Sequence, residues 1–147
     1  MRKLGPQWLV CFIGVLLGAC ATFPQKGGDR ATLIDTSQQC RQLLRWGEVD
    51  RVVAACVAPR AAELFHARYS ERARDRQTTE IVVRRVDFQP EESRILVEET
   101  FYSDRDTRVR TQEFEEEWVW EDGRWMLLSR EVRVRSQEKL GTKSTQK

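Results

Sequence analysis

Trp118-Val119-Trp120-Glu121-Asp122-Gly123-Arg124-Trp125-Met126-Leu127 is the stretch whose reading decides the fold. Asp122-Gly123 between apolar runs is a strong signal for a two-residue hairpin turn. Such a turn fixes a register in which Glu121 faces Arg124, Trp120 faces Trp125, Val119 faces Met126 and Trp118 faces Leu127. Opposed tryptophans on one face are a favourable cross-strand pair. Carried outward, the same register sets Glu115 against Arg130, again opposite charges. It also leaves the fourth strand apolar on both faces, with Trp125 and Leu127 on one and Met126, Leu128, Val132 and Val134 on the other. Such a strand is either central and covered twice or part of an oligomer interface.

Upstream of the hairpin the period remains two as far as Glu80. Ile81, Val83, Val86 and Phe88 mark a first strand, with a slip between 83 and 86 that a bulge would absorb. Pro90 and the polar residues after it make a turn, and Ile95, Val97 and Phe101 alternate in a second strand. Asp104-Arg105-Asp106 is the next turn; a long third strand runs from about Arg108 to Trp120 and a fourth from Arg124 to about Val134.

Before Glu80 the period is helical. Leu33, Ser37, Cys40 and Leu44 form one stripe, and Gly47 stops that helix. Val49, Val52, Val53 and Cys56 give a second, short helix. Pro59 suits the first turn of a third, whose apolar residues are Ala61, Leu64, Phe65 and Tyr69. Arg72, Arg74 and Arg76 crowd its C-terminal end, where cations suit the helix dipole. Three N-terminal helices and four antiparallel strands make an α+β domain, placed at residues 32–135.

The cysteines can be tested against this layout. Cys40 and Cys56 lie seven residues before and nine after Gly47, so a helical hairpin turning there brings them roughly level. A disulfide between them would close a loop of about 15 residues, worth roughly 3 kcal/mol in the chain-entropy model. The alternative is two buried thiols acting as small hydrophobes.

The chain ends read differently. Arg2 and Lys3 precede an apolar run from Trp8 to Leu17, too short to span a bilayer, and then Leu17-Gly18-Ala19-Cys20. That ending resembles the lipobox of bacterial lipoproteins, which implies cleavage before Cys20, lipid (palmitate among the acyl chains) on its thiol, and membrane anchoring of the mature chain. With Ala21 next, the resemblance implies an outer-membrane lipoprotein facing the periplasm. The expected organisation is a signal peptide over 1–19, a lipidated flexible tether over 20–31 with Pro24 and Gly27-Gly28, the domain, and a polar tail over 136–147. Arg2 and Lys3 account for the whole formal excess of +2, so the mature chain is neutral and nucleic acid is not expected as a partner.

The order of elements, Pro59 leading the third helix, the strand start Glu80-Ile81-Val82-Val83 and the Trp118–Leu127 hairpin together resemble the nuclear transport factor 2-like superfamily. The Arg45-Trp46-Gly47-Glu48-Val49-Asp50 break resembles small proteobacterial lipoproteins of this type. The resemblance implies helices packed on the concave face of a curved sheet, with a pocket at the wide end. Enzymatic members place Asp, Tyr or His there, and no such set falls at matching positions in this chain.

Individual candidates remain. Glu99 shares a face with Ile95, Val97 and Phe101, and Glu116 lies between Phe114 and Trp118, so each is a carboxylate on a buried face. An arginine partner from the helix layer or a neighbouring strand is the competing reading. His66, the only histidine, is conceivable as a general base, or is a surface residue. Trp46, Trp118, Trp120 and Trp125 line a pocket or fill the core. No metal-ligand cluster, phosphate loop or nucleophile motif occurs in the sequence, and no cofactor is expected. The expectation is therefore a lipid-anchored, non-enzymatic domain binding a small apolar ligand or another envelope protein, with homodimerisation through the sheet as a further option. The alternative is an isomerase- or dehydratase-type enzyme using Glu99 or His66.

Overall fold

A computed structural model describes residues 27–103 and 105–133. The expected signal peptide over 1–19, Cys20, most of the expected tether and the expected tail at 136–147 lie outside the described residues. Three helices, α1 (Arg30–Arg45), α2 (Val49–Cys56) and α3 (Ala62–Asp75), precede four strands, β1 (Arg76–Asp87), β2 (Glu92–Ser103), β3 (Asp106–Glu121) and β4 (Arg124–Val132). The strands form one antiparallel sheet in the order β1-β2-β3-β4. The α+β class, with three helices and a four-stranded antiparallel sheet, agrees with the sequence.

Helix boundaries follow local chemistry. Asp29 caps α1, its carboxylate accepting from the Thr32 amide at 2.9 Å. Gly47, at φ 70°, ends that helix in the left-handed conformation that glycine adopts without penalty. Pro59 opens a 3-10 turn (Pro59–Ala61) that leads into α3. The ordered domain also begins earlier than residue 32. Gly27 and Gly28 are buried, and a Cβ on Gly28 would fall 2.4 Å from the Trp120 and Trp125 rings. The Gly28 amide donates to the Pro90 carbonyl at 2.8 Å, and the Trp125 Nε1 donates to the Asp29 carbonyl at 3.1 Å. This glycine pair is thus a close-packed strap, where composition alone suggested a loose tether.

The helices cover one face of the sheet. Leu33, Cys40, Val52, Phe65 and Tyr69 meet Ile95, Val97, Phe114, Trp118, Trp125 and Leu127 in the main core. Cys40 and Cys56 are joined across α1 and α2, with Cα atoms 6.0 Å apart. Leu64, expected on the apolar stripe of α3, is instead exposed, because Phe65 and Tyr69 take the sheet-facing side.

The hairpin register from Glu121↔Arg124 to Trp118↔Leu127 is as the sequence predicts, and the slip between 83 and 86 is a bulge at Val83/Arg85. Beyond Trp118 the prediction fails. A shift between Glu117 and Trp118 leaves Leu128 without a partner, so Arg130 faces Glu116, and Glu115 faces Glu131. One extra residue reverses the face of everything after it. Arg130 and Val132 therefore turn towards the helices. The like-charged outer pair is relieved by Arg94 beside Glu115 and Arg68 beside Glu131.

The bulge also resolves the two-sided apolar strand. On the outer face Val119, Met126 and Leu128 pack with Ala58, whose amide donates to the Leu127 carbonyl at 2.9 Å along the edge of β4. The chain's own α2–α3 connection covers that patch. Replacing both Cys40 and Cys56 with alanine is expected to lower the unfolding free energy by about 3 kcal/mol. Urea denaturation of the oxidised protein and the double variant checks this; equal stability would show that the cross-link carries none of the fold.

Candidate functional site

The strand register and the helix layer bring together four charges that are far apart in sequence. Arg130 from β4 donates through Nε to Glu116 Oε1 at 3.2 Å and through Nη2 to Glu99 Oε2 at 2.7 Å. Arg41 from α1 donates to Glu116 Oε2 at 3.2 Å, and Trp118 Nε1 donates to the same oxygen at 3.2 Å. Thr78 Oγ1 completes the set by donating to Glu99 Oε1 at 2.7 Å. Each of the four carboxylate oxygens thus already accepts a hydrogen bond. Both candidate acids have arginine partners, as the competing reading held.

Burial makes this network expensive to leave unpaired. Glu116 is 1% exposed and Arg130 is 3% exposed. Burial alone would lower the Arg130 pKa, but Tyr69, Glu99 and Glu116 outweigh it and hold the guanidinium above its ordinary value. Burial lowers the Arg41 pKa, with Glu116 opposing. Arginine nonetheless stays charged in proteins. Ser37, buried on α1, accepts from Arg41 Nη2 at 3.0 Å and fixes the approach of that side chain. The Arg130 guanidinium also lies 3.9 Å from the centre of the Phe114 ring, a cation–π contact.

Beside this network is a small pocket. Leu44, Val49 and Phe114 give it apolar walls, Tyr69, Thr78, Glu99 and Arg130 a polar floor, and Arg45, Arg72 and Arg76 a cationic rim. Its free space is about 40 Å³. That suits roughly two or three water molecules, whereas small-molecule sites typically offer ~300–1,000 Å³.

The other candidates lie elsewhere. Trp118 and Trp125 are buried in the core and Trp120 packs on it, with Trp120 and Trp125 rings 5.5 Å apart in an edge arrangement. Trp46 is 72% exposed, a correction to its placement among pocket or core aromatics. It is the C-cap residue of α1, and Gly47 turns the chain away before its ring reaches the core. His66 is exposed on α3, its Nε2 2.8 Å from Asp50 Oδ1, and lines an open groove separate from Glu99. Ser70 Oγ is 3.4 and 3.5 Å from the two ring nitrogens. A relay needs a short, directed bond from the hydroxyl to the nitrogen opposite the carboxylate, and Ser70 makes only a long contact shared between both nitrogens. The described residues hold no cluster of three or more potential metal ligands.

Sequence reasoning missed Arg41, Ser37 and Arg130 as partners. Its usable signal was the Leu127-Leu128 doublet, two consecutive apolar residues where strict alternation calls for one.

Comparisons with known proteins give a fold and no family. No protein-family model and no curated protein matches the sequence. Among solved structures the chain is similar to RPA3114, a SEC-C motif containing protein from Rhodopseudomonas palustris, with 12% identity, a TM-score of 0.58 and coverage of 67% of this chain and 77% of that one. It is similar to the intermembrane space region of the chloroplast protein ARC6, with 15% identity, a TM-score of 0.52 and coverage of 71% and 95%. It is also similar to an association domain of the calcium/calmodulin dependent protein kinase II type from Xanthomonas campestris, with 10% identity, a TM-score of 0.54 and coverage of 75% and 90%. The last of these has the nuclear transport factor 2-like fold.

Tyr69 supplies a pH test of the site. Its hydroxyl donates to the Arg130 carbonyl at 2.9 Å, and burial holds its pKa above the ordinary 10.0, with Arg130 and Arg72 opposing. A raised folded pKa means that the unfolded chain loses this proton first as pH rises. The stability it contributes is full below about pH 10 and is lost above it. Urea midpoints measured from neutral to strongly alkaline pH should therefore fall above that point, and fall less steeply in Tyr69→Phe. Parallel curves for the two proteins would remove Tyr69 from the alkaline transition.

Proposed function

We propose that this chain is a lipid-anchored lipoprotein of the bacterial envelope whose domain, of the nuclear transport factor 2-like type, is a non-enzymatic binding module. The single observation that carries the reading is the filled interior. Where an apolar ligand or a catalytic base would sit, Arg130, Glu99, Glu116 and Arg41 saturate one another and leave about 40 Å³. Recognition then falls to the rim of the pocket, where Arg45, Arg72 and Arg76 meet solvent. Among the two ligand classes expected from the sequence, this disfavours the small apolar molecule.

The strap gives the module an orientation. Lipid on Cys20 lies seven residues before Gly27, a reach of at most about 25 Å. Gly27 and Gly28 pack at the Pro90 turn and under Trp120 and Trp125. The rim lies at the far end of α1, whose 16 residues span about 24 Å. An anchor at Cys20 would thus hold the strap end of the domain within about 25 Å of the lipid, with the rim at the opposite end of α1.

Native mass spectrometry of the full chain, extracted from membranes in detergent, tests both parts. The expected species carries lipid on Cys20 and no co-purifying apolar molecule, and Cys20→Ser moves the protein out of the membrane fraction. A tightly held apolar ligand, or unchanged membrane association of the variant, would contradict the reading.

A further inference from the structure

We propose that the pocket rim is a receptor for a small oxyanion, a carboxylate or phosphate group held between Arg45, Arg72 and Arg76. It rests on the reading that recognition occurs at the rim, and adds the chemistry of what is recognised.

The charge arrangement points to an anion. Inside, Arg41 and Arg130 are matched by Glu116 and Glu99. At the rim no match exists: among the described residues no carboxylate lies within 4.0 Å of Arg45, Arg72 or Arg76. Asp75, at the end of the same helix as Arg72, is taken by Arg105, and Glu48, next to Gly47, is taken by Arg51. Glu99, the carboxylate that lines the pocket, is neutralised by Arg130. The C-terminal ends of α1 and α3 lie near these arginines and offset roughly half a charge each. About two positive charges remain concentrated at one end of a domain whose arginines elsewhere are mostly ion-paired.

Geometry prepares two of the three for binding. Arg72 lies over Tyr69 at 5.2 Å and Phe114 at 5.4 Å from the ring centres, and Arg76 lies over Phe101 at 4.3 Å. These ring contacts hold the two guanidinium groups in place and occupy none of their N–H donors. Of those donors, Arg72 uses one towards the Tyr69 hydroxyl at 3.5 Å, and Arg76 one towards Gln112 Oε1 at 3.3 Å. The remaining N–H groups form the fork that matches two oxygens of a carboxylate or phosphate. Both side chains are half-buried, which reduces the ordering needed on binding. The free space of about 40 Å³ suits one small anionic group and excludes a bulky one.

The test is titration of the full chain in detergent with sodium phosphate and, separately, sodium acetate, at ionic strength held constant with sodium chloride. The arginine side-chain resonances are followed by ¹⁵N–¹H spectroscopy. Saturable shifts at Arg72 and Arg76 Nε–Hε are expected with at least one of the two anions. Saturation by phosphate alone assigns a phosphate group, and by acetate alone a carboxylate. Arg72→Gln and Arg76→Gln should each weaken binding by about tenfold, while Arg124→Gln, at the hairpin, leaves it unchanged. Shifts that grow linearly without saturation for both anions in the wild-type protein overturn the proposal, as does binding that survives both substitutions. Either result leaves the filled interior standing, whereas a co-purified apolar ligand would remove the binding reading itself.

Discussion

A guanidinium enclosed among aromatic rings, Arg130, is the interaction on which the rest of the structure depends. Its position requires the bulge at Leu128, because strict alternation would turn it to the outer face. Its charge requires Glu99 and Glu116, and Arg41 supplies the second cation that balances this pair of carboxylates. Its aliphatic and planar surfaces lie against Phe114 and Tyr69. A buried ion network of this kind contributes little net stability, since desolvation offsets most of the attraction. What it does is rule out other arrangements: any register that separates these groups strands a charge in the core. The network also fills the space that the layout of helices over a sheet would otherwise leave open.

The proposed binding role rests on that filling. The interior is occupied by its own side chains and leaves about 40 Å³, so the proposal puts recognition at the rim, by the C-terminal ends of α1 and α3. Among the described residues Glu99, Asp75 and Glu48 are already engaged, and no carboxylate is left to pair with Arg45, Arg72 or Arg76. Likeness to solved structures at 10–15% identity carries the fold and nothing of partners, so the binding proposal stands on these side chains alone.

Most of the fold was legible because its determinants are local. The Asp122-Gly123 turn fixed four residue pairs, Gly47 and Pro59 set helix limits, and a helical hairpin about Gly47 brought Cys40 level with Cys56. The misreadings share one cause. Local pattern sets Glu115 against Arg130, counts Trp46 among pocket or core aromatics and reads Gly27-Gly28 as a loose tether, whereas tertiary packing decides each. A bulge looks like an ordinary apolar doublet, and a glycine pair under two tryptophans looks like a linker. Glu99 and Glu116 were recognisable as buried acids by alternation. Their partners were not, since an arginine pattern does not say which of 18 described arginines turns inward.

The most direct measurement is the environment of the Arg130 Nε–Hε group by ¹⁵N-edited nuclear Overhauser spectroscopy. The account predicts a slowly exchanging resonance, shifted by the ring beneath it, with cross-peaks to Phe114 and Tyr69. A rapidly exchanging resonance with cross-peaks to outer-face residues such as Arg94 and Glu115 would place Arg130 in solvent and remove the bulge, the buried network and the filled interior together.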